Sequence, residues 1–179
     1  MNKVFIGIGS NIGDRTLNIE MALAKINDSV GQILAQSSIY ETESWGFKSD
    51  NPFLNLVVLI DTALNPIDLL DALQRIEKLL GRQRRSIVYQ NRPIDLDILF
   101  FNESVVNNPN LTIPHPYIQE RMFVLKPLAD IAPDLVHPVL KKSIRIMAEN
   151  CMDKSSIKKI DKIQLPDHDD QSSPLSAKL

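Results

Sequence analysis

Two aspartates, Asp95 and Asp97, stand two residues apart in the most hydrophobic strand-like stretch of the chain, within Arg92-Pro93-Ile94-Asp95-Leu96-Asp97-Ile98-Leu99. Side chains alternate along a strand, so both carboxylates face one side while Ile94, Leu96 and Ile98 face the other. An isolated buried carboxylate is costly even after the protein relaxes around it. Like charges this close also raise each other's pKa unless a cation intervenes. A hard divalent cation resolves both difficulties: Mg²⁺ takes one or two protein carboxylates and completes its octahedron with water and substrate phosphates. The alternative is a solvated strand end at which nearby arginines bridge the acids.

Such arginines are present. Arg82, Arg84, Arg85 and Arg92 lie within eleven residues, with no acidic residue among them. Guanidinium forks bind phosphate oxygens bidentately and keep their charge, so this density suits a polyphosphate; by itself it also describes a solvated basic loop. Gln74 and Glu77, three residues apart on a helix flank, could contact a nucleotide or could be ordinary surface residues. Phe53 and Asn55 share one strand face, and Asn55 is the only polar residue from Phe53 to Ile60. An aromatic face to stack on and an amide to read an edge suit a flat heterocycle; an Asn bonded to a neighbouring loop backbone is the other reading. His115, in Ile113-Pro114-His115-Pro116, is either a phosphate donor or a rigid-loop residue.

These groups need elements to hold them. Val4 to Ile8 reads as a strand, and Ile19, Ala22, Leu23, Ile26 and Val30 recur at helical spacing after it. Gln32 to Tyr40 reads as one strand, Glu41 to Pro52 as a long loop, and Phe53 to Asp61 as a further strand. Asn65-Pro66-Ile67-Asp68 is a helix start with an N-cap, a proline at the first position and an acid in the first turn. Leu69, Leu70, Leu73, Ile76, Leu79 and Leu80 form its apolar stripe. A polar loop, Arg82 to Pro93, leads into the acidic strand. A short strand at Ser104 to Val106 and helices near Pro116 to Ala132 and Lys141 to Asn150 complete the core. The order strand, helix, strand, strand, helix, strand is ferredoxin-like: an α+β fold with an antiparallel sheet and helices packed on one face. One domain spans 1–152, and 153–179 is a polar, Lys-, Asp- and Ser-rich tail expected to be frayed or disordered.

Composition narrows the class. The chain has 179 residues, 44% of them hydrophobic, enough for a core without metal or disulfide staples. A formal net charge of −2 argues against nonspecific nucleic-acid binding. The longest apolar run, Leu56 to Ile60, is strand-sized, so no membrane partner is expected. One cysteine, Cys151, and no signal-peptide pattern point to the cytoplasm. With three histidines far apart there is no His-based zinc pattern. Gly7, Gly9 and Gly13 are spaced G-x-G-x-x-x-G, one residue too long for a dinucleotide fingerprint, and are read as a tight turn.

Taken together, Ile8-Gly9-Ser10-Asn11 with Gly13, the Tyr40-Glu41-Thr42 to Gly46 loop, Phe53-Leu54-Asn55, Gln74 with Glu77, Gly81-Arg82, Arg92 with Asp95-Leu96-Asp97-Ile98, and Pro114-His115 resemble the 6-hydroxymethyl-7,8-dihydropterin pyrophosphokinases of folate biosynthesis. The match is colinear from about Val4 to Ala148. The resemblance implies pyrophosphoryl transfer from ATP to the pterin hydroxymethyl oxygen with release of AMP, by a monomer. It implies two Mg²⁺ ions on Asp95 and Asp97, and catalytic arginines at Arg82 and Arg92. Gln74, Glu77, Arg84, Ile98, Thr112, His115 and Arg121 are implied on the ATP side. For the pterin, the resemblance implies Phe53 and Phe123 as a sandwich, Asn55 at the edge, and the Thr42, Trp45 and Gly46 stretch around it. Two positions depart from the family pattern. Tyr89-Gln90-Asn91-Arg92 stands where an aromatic-Gly-Pro-Arg segment is common, and Trp45 stands where an aliphatic residue is frequent.

Overall fold

The computed structural model describes residues 1–44, 49–82 and 91–160. Strand β1 (Asn2–Ser10) is followed by α1 (Arg15–Ser29), whose N-cap Asp14 accepts a hydrogen bond from the Leu17 N–H at 3.0 Å. Gly13, at φ +71°, turns the chain between them, a backbone conformation that glycine adopts without penalty. Then come β2 (Gln32–Gln36), β3 (Ile39–Thr42) and β4 (Phe53–Thr62). Helix α2 (Pro66–Leu79) starts as its sequence dictates: Asn65 accepts from the Ile67 and Asp68 N–H groups, each at 3.0 Å. Strand β5 (Asp95–Phe101) follows, then a small hairpin of β6 (Val106–Asn108) and β7 (Leu111–Ile113). Helices α3 (Met122–Ile131) and α4 (Ile144–Glu149) and strand β8 (Ile157–Ile160) close the described chain.

The main sheet runs β5-β1-β4-β3-β8, with β2 also paired to β4, and every pairing is antiparallel. The ferredoxin-like order is therefore present, extended by β8. Helices lie on both faces, whereas the sequence reading puts them on one. Val4, Ile6, Ile8, Leu54, Leu56, Leu96 and Ile98 pack with α1 and α2, while Phe5, Val57, Leu99 and Phe100 pack with α3 and α4. The alternation slips in β5, where a bulge opposite Phe5 and Ile6 puts neighbouring Leu99 and Phe100 into the same α3 and α4 cluster.

Other differences have local causes. The single strand expected over Gln32 to Tyr40 breaks at Ser37 and Ser38, where the Ser37 hydroxyl accepts from the Val57 N–H at 2.9 Å and the Ser38 N–H donates to Asp130 at 3.2 Å. The strand expected at Ser104 to Val106 begins at Val106 instead. The expected helix from Pro116 divides into a 3-10 turn over Ile118–Glu120 and α3, because Arg121 between them is extended. Ile157–Ile160, which the sequence reading assigns to the polar tail, pairs with β3 as an edge strand. Its central Lys158 and Lys159 are the charges that discourage edge-to-edge association. Residues 161–179 lie outside the described residues.

Gly31, between α1 and β2, offers a test of this packing. A Cβ there would lie 2.4 Å from the Asp61 carbonyl oxygen and 2.9 Å from the Thr62 Cβ. The first neighbour is backbone and cannot rotate away. Gly31→Ala is expected to destabilise by about 1–3 kcal/mol, the usual cost of overpacking. A thermal melt unchanged from wild type would show that β2 and β4 can separate at this corner.

Candidate active site

The cleft opens on the sheet face that α3 and α4 cover elsewhere, at the end where β4 and β5 begin. Its floor is β1 at Gly7 and Gly9, set between Phe53, Asn55 and Val57 of β4 and Asp95, Asp97 and Leu99 of β5. Gly7 and Gly9 are thus strand residues, and only Gly13 belongs to a turn. A side chain on Gly9 would meet Asn55 Oδ1 at 3.1 Å, so the glycine leaves the floor open between the acids and the amide. Thr42 of β3 borders one side, and His115, Tyr117, Arg121 and Phe123 border another.

Asp95 and Asp97 share the cleft face, and Ile94, Leu96 and Ile98 lie in the opposite core, as strand alternation requires. Asp95 is held by two arginines. Arg82 pairs with both Asp95 and Glu77, and Arg92 Nη1 lies 3.0 Å from Asp95 Oδ2. Burial disfavours the Arg82 charge, but Asp95 and Glu77 outweigh it and raise its pKa. Glu77, 2% exposed, also accepts the Leu96 N–H at 2.9 Å, which ties α2 to the acidic strand. Arg92 lies with its guanidinium 5.6 Å from the Phe53 ring centroid, so it spans the acids and the aromatic slot. Its Nε is buried with no acceptor among the described residues.

Asp97 differs from Asp95. Among the described residues no hydrogen bond or ion pair is made to it, and its pKa is pushed up to about 7, first by burial, then by the charges of Asp95 and Glu77. A carboxylate next to two others, with no proton donor engaged, suits a cation ligand. Among the described residues no three His, Cys, Asp or Glu side chains gather as a complete metal cage. Two carboxylates with the remaining positions left to water and phosphate oxygens fit Mg²⁺ better than a metal that demands an all-protein shell.

His115 is held neutral. Burial first, then the neighbouring Arg121 charge, lower its pKa to about 4. Its Nδ1 accepts the Tyr117 N–H at 3.3 Å, which assigns the ring proton to Nε2 and makes that nitrogen a neutral donor. Arg121, 7% exposed, packs its guanidinium against the rings of Tyr117 at 5.0 Å and Phe123 at 5.7 Å. Asn55 donates from Nδ2 to Thr42 Oγ1 at 2.8 Å, so its bond goes to a neighbouring side chain, not to a loop backbone.

The structure therefore brings Arg82, Arg92, Asp95, Asp97, His115, Arg121, Thr42, Phe53, Asn55 and Phe123 to one cleft. Gln74 and Glu77 line a separate groove along α2, which Arg82 shares. Ile98 faces the core, and Thr112 is exposed on β7 away from the cleft lining. Trp45, Gly46 and Arg84 lie outside the described residues. Sequence reasoning missed Gly7, Gly9 and Tyr117 as lining residues, while Glu43 falls within the Thr42 to Gly46 stretch that the resemblance puts around the pterin. Two glycines at alternate positions of an otherwise apolar strand are a legible sign of an open floor; Tyr117 carries no such pattern.

Comparison with known proteins bears on the same residues. The family model described as 7,8-dihydro-6-hydroxymethylpterin-pyrophosphokinase (HPPK) matches residues 5–133, which include most of β1, all of β5 and all of the cleft lining. The chain belongs to this family. Among curated relatives, the 2-amino-4-hydroxy-6-hydroxymethyldihydropteridine pyrophosphokinase of Porphyromonas gingivalis is 46% identical over 141 residues, covering 77% of this chain and 95% of the relative. The Aquifex aeolicus protein of the same name is 37% identical over 145 residues, covering 81% and 89%. Among solved structures, Plasmodium falciparum HPPK-DHPS superposes with a TM-score of 0.69 at 20% identity over 83% of this chain, a likeness of fold. This pyrophosphokinase-family chain spans 44% of the length of that protein.

Proposed function

We propose that this chain transfers the terminal pyrophosphoryl group of ATP to the hydroxymethyl oxygen of 6-hydroxymethyl-7,8-dihydropterin, with Mg²⁺, as a cytoplasmic monomer in folate biosynthesis. Family membership and the names of the relatives support the reaction. The observation that carries it to these residues is the position of Arg92, in contact with Asp95 on one side and the Phe53 ring on the other. A donor polyphosphate at the acids and an acceptor ring at Phe53 then meet at one guanidinium. Among the described residues no helix is long and apolar enough to cross a membrane, which is compatible with that location.

In this reading Phe53 and Phe123 hold the pterin between ring faces, and Asn55 reads its edge with the carboxamide that Thr42 orients. The hydroxymethyl oxygen attacks the β-phosphorus of ATP. The bond from that phosphorus to the oxygen bridging to the α-phosphate breaks, AMP leaves with that oxygen, and the hydroxyl proton passes to solvent. Asp95 and Asp97 would hold Mg²⁺, which supplies charge neutralisation to the triphosphate and keeps its oxygens in line. Arg82 and Arg92 exchange their carboxylate partners for phosphate oxygens. His115 contributes a neutral N–H, and Arg121 holds its guanidinium against the Tyr117 and Phe123 rings. Binding and orientation supply most of the rate, as phosphoryl transfer asks little covalent chemistry of a protein.

Product analysis tests this. With ATP, Mg²⁺ and the pterin, AMP is expected in equal amount to pterin diphosphate, and neither forms when the pterin or Mg²⁺ is withheld. ADP in place of AMP would make the chain a single-phosphate transferase and overturn the reading; no turnover by folded protein would leave a binding module.

A further inference from the structure

The end of β1 carries a hydrogen-bonded node that the chemistry above does not use. β1 lies between β4 and β5 and runs antiparallel to both, so its last residues meet the segments that enter both neighbours. Asn11, 1% exposed, occupies that corner. Its Oδ1 accepts the Arg92 N–H at 2.7 Å, and its own N–H donates to the Arg92 carbonyl at 3.2 Å. A backbone N–H can only donate, which fixes the orientation of the carboxamide and turns Nδ2 the other way. Nδ2 donates to Asn91 Oδ1 at 2.6 Å and to the Asn51 carbonyl at 3.4 Å. Asn91 Oδ1 takes a second bond, from the Ser49 hydroxyl at 2.7 Å, and the Asn51 N–H in turn donates to that hydroxyl at 3.1 Å. Ser10 adds a bond from its hydroxyl to the Pro93 carbonyl at 2.6 Å.

We propose that Asn11, Asn91 and Ser49 form a latch that makes the backbone position of Arg92 depend on the segment leading into Phe53. None of the three lines the cleft. They are positioning residues, acting on the reacting groups through Arg92, which follows Asn91 directly. The latch joins the two halves of the site at one buried amide. A pterin stacked on Phe53 would order the chain before β4 and, through the latch, would order Arg92 for the phosphates as well. The kinetic consequence rests on the pyrophosphokinase reading; the structural coupling does not.

Ser49→Ala removes the link from the β4 side and leaves both cleft walls intact. Hydrogen exchange at the Arg92 amide of the full-length, ligand-free protein is expected to rise about fivefold, the scale of one lost neutral hydrogen bond, though Ser49 does not touch Arg92. Ser49→Thr, which keeps the hydroxyl, is expected to restore protection. Ser49→Ala combined with Asn91→Ala should exchange no faster than Asn91→Ala alone, since both break the same bond. Turnover should fall by a similar factor in kcat, with little change in KM for ATP. Arg92 exchange equal to wild type in Ser49→Ala, or effects of the two substitutions that multiply, would overturn the latch. If Arg92 exchange responds to Ser49 but wild-type protein forms no AMP, the latch stands and the pyrophosphokinase reading fails. If AMP forms and Arg92 ignores Ser49, the reading stands and the latch fails.

Discussion

Asp97→Asn is expected to lower Mg²⁺-dependent AMP release by about 10²- to 10³-fold or more while making the metal-free protein more stable. In the proposed reaction Asp97 is one of the two carboxylates that would hold Mg²⁺ for the triphosphate, and its loss would weaken a step whose acceleration is mainly electrostatic. The gain in stability follows from the same cluster. In the absence of metal, Asp97 is crowded by Asp95 and Glu77, while the described ion pairs of Arg82 and Arg92 go to Asp95 and Glu77. Substitution by the neutral isostere removes that repulsion, with an expected rise of about 2–4 °C in the thermal midpoint for each kcal/mol relieved. Product assays and melts in chelator measure the two effects on one sample. Near-normal turnover would contradict the metal assignment, and a lowered melting point would make Asp97 a structural residue.

Arg92→Ala should reduce kcat by about 10²-fold, with a smaller effect on KM for either substrate. Arg92 already touches Asp95 and Phe53 in the free protein, and in the proposed reaction it would move its charge onto phosphate oxygens as they become more negative. Arg92→Lys should recover only part of the loss, because an ammonium keeps the charge but not the planar fork. Asp95 retains Arg82 in both variants, so the fold should hold. Unchanged turnover in Arg92→Ala would remove this residue from the catalytic set and would turn attention to Arg82.

Much of the site is legible because strand alternation is a local rule. Asp95 with Asp97, and Phe53 with Asn55, are each two residues apart, and two residues is the repeat that puts side chains on one face of a sheet. The N-cap at Asn65 and the stripe of Leu69, Leu73 and Ile76 are local in the same sense, and α2 forms where they predict. The failures lie where distant partners decide. The break at Ser37 and Ser38 depends on Val57 and Asp130, and the pairing of Ile157–Ile160 depends on a free edge of β3. Glu77 looks like a surface residue from its spacing, yet it is buried because Arg82 and the Leu96 N–H come to it from other elements.

By itself, then, the order of residues determined that Asp95 shares a face with Asp97 and Phe53 with Asn55, where α2 starts, and which family motifs the chain carries, since each depends on neighbours a few positions apart. Tertiary structure decided which of those faces meet. The antiparallel order β5-β1-β4 brings the first residues of two strands, Phe53 and Asp95, to the same end of β1. Charge and burial then separate two aspartates of identical type: Asp95 pairs with Arg82 and Arg92, while Asp97 makes no ion pair among the described residues and its pKa is raised by burial and by the charges of Asp95 and Glu77. No short-range pattern encodes that difference, because it arises from groups that are far apart in the chain and close only in the folded protein.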